Sequence, residues 1–162
     1  MHAGEYKTTD FTPVILAMKL YEHVDLITTN PNKFPEYVEI CKPQAKKEGK
    51  DGRDPEERIL ILTQDSLTRK VREQAYKIFI LAHMANEINV NREPERTEER
   101  LRKQIRAAEL CEEQLATIQL CRKRFHLSYR KIKFWGDKVL EVRDSIKAWH
   151  NSDKSRFKNL SL

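Results

Sequence analysis

Apolar residues recur every three or four positions along most of this chain, which is the spacing of one buried face on an α-helix. The first such segment runs from Thr12 to Ile27, where Thr12 occupies a capping position and Pro13 suits the first helical turn. Because the residue before a proline resists helical geometry, Asn30 before Pro31 indicates a boundary. The pattern therefore predicts one helix followed by a connection.

Three further helices are predicted after that connection. The second spans Glu56 to Asn89 as one element, and the third begins at Thr97 as its cap and extends for about 26 residues, or about 39 Å. The fourth follows Ser128, with Leu127 and Ile132 in the positions of a hydrophobic staple around that cap. Its apolar positions keep the spacing of a coiled coil: Ile132, Trp135, Val139, Val142, Ile146 and Trp149.

Helices of similar length joined by short connections pack antiparallel. The sequence therefore predicts an all-α protein, an antiparallel up-down-up-down four-helix bundle with a long connection between helices 1 and 2. One domain is expected over residues 1–152, with a flexible insertion at 42–55 and a basic polar tail over 153–162, and 162 residues fit a single domain. No apolar run approaches the roughly 20 residues of a membrane span, and the first residues lack the apolar core of a signal peptide. A cytoplasmic protein without membrane association is expected.

The motifs of common catalytic and metal sites are missing from the sequence. It contains no G-x-S-x-G, no H-E-x-x-H, no C-x-x-C, and no Glu-x-x-His pair of the kind that holds di-iron centres in helical bundles. The three cysteines, Cys41, Cys111 and Cys121, suit buried thiols better than a disulfide framework. We therefore expect no enzyme activity, no metal and no cofactor.

Charge is the compositional feature that changes this picture. The chain has a formal net charge of +6, and residues 119–162 hold 12 Lys and Arg against 4 Asp and Glu. A segment with this imbalance attracts polyanions, although a solvated helix face explains many charge runs equally well. The candidate nucleic-acid-binding residues are Arg100, Lys103, Arg106, Arg122, Lys123, Arg124, Arg130, Lys131 and Lys133.

Some of these cations have a structural explanation and some do not. Lys103 follows Glu99 at the spacing of a helical ion pair. Arg130, Lys131 and Lys133 lie at the start of the fourth helix, where the helix dipole disfavours cations. Their presence there therefore indicates a functional role, namely binding an anion. Phosphate is the expected anion, bound without selection of sequence. Phe125 and Tyr129 lie among the charges and offer stacking on unpaired bases. For Phe125, however, a place in the core at the helix junction is the favoured interpretation.

The second and third helices carry more apolar surface than one stripe needs, and a bundle helix normally has one apolar and one wet face. These extra positions predict an oligomer or partner interface, or alternatively a thick core under residues 31–55. The positions are Tyr76, Phe79, Ile80, Ala107 and Leu110.

Several segments together resemble a known family. They are Lys33-Phe34-Pro35, Leu62-Thr63-Gln64, Ala75 to Leu81 followed by Ala85-Asn86, the Arg- and Leu-rich stretch Leu101 to Arg122, and Ile146 to Trp149 before a polar stop. This pattern is similar to the accessory variability proteins of diversity-generating retroelements, which are related to bundles encoded in intervening sequences of 23S ribosomal RNA genes. The insertion before Pro55 and the residue Ala148 depart from the family pattern.

The resemblance implies a non-enzymatic accessory protein that forms a homo-oligomer, a pentamer in the family. Its basic surface would hold a reverse transcriptase and a structured template RNA, and so support template-primed cDNA synthesis and mutagenic retrohoming. By location, the resemblance places the nine cations named above on that surface. The alternative is a structural or protein-interaction bundle with no nucleic-acid role.

Overall fold

The computed structural model describes residues 10–30, 55–90 and 93–158. These residues form five helices: α1 (Thr12–Thr29), α2 (Pro55–Gln64), α3 (Ser66–Glu87), α4 (Pro94–Phe125) and α5 (Tyr129–Phe157). No strand occurs in these ranges, so the prediction of an all-helical protein is confirmed. The Lys33-Phe34-Pro35 turn, Cys41 and residues 42–54 of the insertion lie outside the described residues.

The four long helices contact one another in a closed order. α1 and α4 each contact both α3 and α5, while the short α2 contacts α1 and α3. Phe11, directly before α1, meets Trp149 near the end of α5, whereas His23 in the second half of α1 meets Phe134 near the start of α5. α1 and α5 therefore run in opposite directions.

Helix α5 follows the predicted pattern closely. All six positions of its predicted apolar stripe, from Ile132 to Trp149, are buried. The Ser128 hydroxyl accepts the N–H of Lys131 at 3.3 Å, which confirms the predicted cap. This helix contributes large side chains to the core, among them Trp135 and Ile146.

The predicted second helix is two helices. It breaks at Asp65, whose carboxylate accepts the N–H of Leu67 at 2.9 Å and so caps α3. The Thr68 hydroxyl hydrogen-bonds to the carbonyl oxygens of Leu62 and Asp65, closing the junction. The first N–H groups of any helix have no acceptor within that helix. An Asp at the capping position supplies one, so a new helix can begin there even inside an otherwise helical pattern.

Helix α4 is longer than predicted at both ends. It begins at Pro94, which lacks an N–H and suits the first turn, and the Thr97 hydroxyl donates to the Glu93 carbonyl at 3.2 Å instead of capping the helix. Its 32 residues extend about 48 Å. It ends at Phe125. The next residue, His126, adopts a left-handed conformation with φ 52°, and its N–H donates to the Arg122 carbonyl.

The buried side of α4 also differs from the prediction. Ala107 and Leu110 lie in the core, so their assignment to an oligomer or partner interface is wrong. The physical reason is that α4 packs against two long helices and therefore buries a wide face. That face includes polar side chains held by hydrogen bonds, such as Gln114, whose amide donates to the Val71 carbonyl at 3.0 Å.

The predicted polar tail is in part helical. α5 continues past residue 152 to Phe157, and both Asp153 and Phe157 are buried. The predicted end of the helical domain at residue 152 is therefore too early. The sequence gives no indication that Asp153, an anionic residue in a polar stretch, is buried. Residues 159–162 lie outside the described residues.

We expect Ile146→Ala to lower the free energy of unfolding by about 2–5 kcal/mol, because it removes apolar atoms from a filled core. Leu120→Ala is the control, since the Leu120 side chain is 56% exposed, and its effect should stay within about 0.5 kcal/mol. Urea unfolding followed by circular dichroism measures both. Equal losses in the two variants would contradict this account of the core.

Candidate nucleic-acid interface

The nine predicted cations fall into two groups. Five of them pair with carboxylates on the same molecule: Arg100, Lys103, Arg106, Arg124 and Lys133. The other four, Arg122, Lys123, Arg130 and Lys131, are exposed around the turn between α4 and α5. We call these four residues the basic corner.

Arg100 belongs to a buried polar cluster and not to the outer surface. Its Nε donates at 2.7 Å to Asp153, whose side chain is only 4% exposed, and its Nη1 donates to the Ile88 carbonyl. The Gln104 amide donates to the same Asp153 carboxylate at 2.6 Å, and Arg156 donates to its second oxygen. Arg100 therefore joins α4 to α5 and to the end of α3.

Arg124 has the corresponding role at the other end of α4. Its guanidinium donates at 2.6 Å to Asp65, whose side chain is 2% exposed and also caps α3. Removing Arg124 would leave a buried carboxylate without its cation, which is strongly destabilising. Arg124 is therefore a structural residue.

The remaining three pairs lie at the surface. Arg106 reaches Glu109 and Glu113 at 3.3 Å each, and these carboxylates raise its pKa. Lys133 donates to Asp137 at 2.7 Å, which raises the pKa of Lys133. Lys103 lies 3.7 Å from Glu99, which confirms the ion pair predicted from their spacing. Each of these positive charges is balanced locally.

The basic corner is different. Among the described residues, Arg122, Lys123 and Arg130 form no ion pair with a carboxylate, and their side chains are exposed. Two grooves adjoin here and share Leu127 in their walls. The first, of about 410 Å³, is lined by Arg122, Lys123 and His126 among others.

The second groove lies between α1 and α5 and was not predicted. It has a volume of about 520 Å³, and its lining includes His23, Leu26, Phe134 and Trp135 beside Arg130 and Lys131. The predicted α5 stripe contains a signal for it, since the spacing from Ile132 to Trp135 leaves the intervening Phe134 on another face. Phe125 is buried, which places it in the core and not among stacking groups, whereas Tyr129 is exposed.

The surface part of the predicted partner interface is small. Tyr76 is exposed and makes an edge contact with Tyr21, with ring centroids 6.0 Å apart. Phe79 and Ile80 are half-buried, and the Phe79 ring stacks on His83.

The described ranges contain no candidate metal site, and their two cysteines are buried. No group of three or more His, Cys, Asp or Glu side chains there is placed to hold a metal ion. Cys111 and Cys121 are buried thiols, and burial raises the pKa of each to about 12. None of the described helices has the length and hydropathy that a membrane crossing requires.

Comparisons of the chain with models of protein families, with curated proteins and with solved structures found no match.

We expect Asp153→Ala to lower the free energy of unfolding by about 3–5 kcal/mol, because it leaves the largely buried Arg100 without its carboxylate. Asp144→Ala on the same helix is the control, since Asp144 is exposed and its pair with Arg143 is a surface pair worth about 0–1 kcal/mol. Urea unfolding at neutral pH measures both. If the two variants lost the same stability, Arg100 would not be a structural residue.

Proposed function

We propose that this protein is a non-enzymatic nucleic-acid-binding protein of the cytoplasm, and that it binds RNA phosphates through the basic corner. The observation that carries the proposal is the concentration of exposed cations at the turn between α4 and α5, where Arg122, Lys123 and Arg130 form no ion pair with a carboxylate among the described residues. Elsewhere on α4 and α5, the predicted cations are already engaged by carboxylates. The binding surface is therefore smaller than the nine residues predicted from sequence.

Electrostatics supports the choice of phosphate as the ligand. Arg130 and Lys131 lie in the first turn of α5, where the helix dipole adds positive potential and disfavours further cations. Repulsion between these cations and the dipole destabilises the free protein, and a bound anion would relieve that repulsion. Contacts to phosphate give affinity and orientation without reading the sequence.

The resemblance to accessory variability proteins extends the proposal to partners. In this view the helices form an antiparallel up-down-up-down four-helix bundle, with α2 as an additional short helix, and several copies assemble, as a pentamer in the family. The assembly would hold a template RNA beside a reverse transcriptase. Holding both on one surface raises their effective concentration and supports cDNA synthesis without chemistry by the bundle.

A protein-interaction bundle without a nucleic-acid role is the second candidate. The exposed Tyr76 beside the half-buried Phe79 and Ile80 is the observation that favours it. The two candidates differ in a simple property of the purified protein. A nucleic-acid binder is retained on heparin and released by salt, whereas the interaction bundle elutes at low salt.

We expect the triple variant Arg122→Gln, Lys123→Gln and Arg130→Gln to bind RNA more weakly and with a shallower salt dependence. Losing three phosphate contacts should reduce the slope of log K against log salt by about 2–3. Fluorescence anisotropy over a series of salt concentrations measures the slope. Circular dichroism should remain unchanged, because these three side chains form no ion pair among the described residues.

The matched control is Lys77→Gln, Arg96→Gln and Arg106→Gln. It removes the same net charge from surface cations that pair with Glu73, Glu93 and Glu109 and that lie outside the basic corner. Its salt slope should equal that of the parent protein. Equal weakening by both triple variants would assign binding to net charge alone, and the absence of any RNA binding by the parent protein would refute the proposed function.

A further inference from the structure

The groove between α1 and α5 exposes an aromatic ring next to the basic corner. Phe134 is 57% exposed although most large apolar side chains of α5 are buried. Its ring makes an edge contact with the imidazole of His23, with centroids 5.3 Å apart, and Leu26 beside it is also exposed. The groove therefore has an apolar and partly aromatic floor open to solvent.

Cations surround this floor. Arg130 and Lys131 line the same groove, and Lys138 holds its ammonium 4.9 Å from the centre of the Phe134 ring. The neighbouring groove, which shares Leu127, adds Arg122 and Lys123. A flat apolar surface bordered by positive charge is complementary to a flat base whose flanking phosphates are negative.

The volume of the groove suits a small planar group. At about 520 Å³ it falls within the range of about 300–1,000 Å³ that is typical of small-molecule sites. A base inside a duplex is stacked and paired, so its face is closed to such a groove. An unpaired base has a free face and can stack on an aromatic side chain.

We propose that the α1–α5 groove binds an unpaired nucleobase against Phe134, while the basic corner binds the phosphates on either side of it. This inference rests on the proposed function and makes it more specific. The preferred ligand is a single-stranded segment, such as a loop or an end of a structured RNA. Charge complementarity favours this ligand over an apolar protein segment, which would gain nothing from the cations around the groove.

The test compares a single-stranded RNA of about 12 nucleotides with a blunt duplex of the same length, a size within the range that single-strand sites cover. We expect the full-length protein to bind the single strand more tightly than the duplex at equal salt. Phe134→Ala should weaken single-strand binding by on the order of 10-fold through the loss of one stacked base, and should change duplex affinity less than about twofold. Phe134→Trp should retain single-strand affinity because it keeps a stacking surface.

Leu120→Ala is the matched control, because Leu120 is as exposed as Phe134 and lies on α4 outside both grooves. It should change neither affinity. Circular dichroism checks that all variants remain folded, and replacing an exposed side chain leaves the core intact.

The outcomes separate this inference from the proposed function. If the parent protein binds neither RNA, both are wrong. If it binds single strand and duplex equally and Phe134→Ala changes nothing, the basic corner stands and the base-binding groove is refuted. If Phe134→Ala leaves RNA binding unchanged but alters sedimentation of the protein, the groove is a contact between copies and the inference is likewise refuted.

Discussion

Two buried carboxylates hold two of the predicted cations in ion pairs that connect the helices. Asp65 and Asp153 are almost completely removed from water, and a buried carboxylate is tolerated only when it is paired and hydrogen-bonded. Each takes an arginine from α4, at opposite ends of that helix. These pairs fix α4 against α3 at one end and against α5 at the other, and they commit Arg100 and Arg124 to the fold.

The proposed ligand site therefore depends on which cations are not engaged in ion pairs that stabilise the fold. Of the nine cations predicted from sequence, Arg122, Lys123 and Arg130 are exposed and form no ion pair with a carboxylate in the described part of the chain, and all three lie around the turn between α4 and α5. These three residues form a compact group at the junction of α4 and α5. An exposed aromatic groove adjoins it, so electrostatic attraction and stacking can act on the same ligand.

The parts of the fold that could be predicted are those with a local signal. The α5 stripe was predictable because large apolar side chains such as Trp135 and Ile146 repeat at helical spacing after a Ser cap. The Glu99–Lys103 pair was predictable because its partners are four residues apart. The buried face of α4 was not, since Gln104 and Gln114 look like surface residues until their hydrogen-bond partners on other helices are in place.

The same reason explains why the sequence did not distinguish the cations that form tertiary ion pairs from the others. Arg100 and Asp153 are 53 residues apart, and Arg124 and Asp65 are 59 apart, so their pairing depends on tertiary contacts that no local pattern contains. The α1–α5 groove likewise needs His23 and Phe134 to be brought together from distant positions. The sequence indicated the charged region, and tertiary packing determines that Arg100 and Arg124 are paired with buried carboxylates.

The left-handed turn at His126 has a consequence for recognition. Only three residues separate the end of α4 from the start of α5, and hydrogen bonds from the His126 and Leu127 N–H groups to the Arg122 carbonyl close that connection. The backbones that carry Arg122, Lys123 and Arg130 are thus preorganised at fixed separation before any ligand arrives. If the basic corner binds an anion as proposed, association would order side chains but no backbone, which would keep the entropic penalty of binding small.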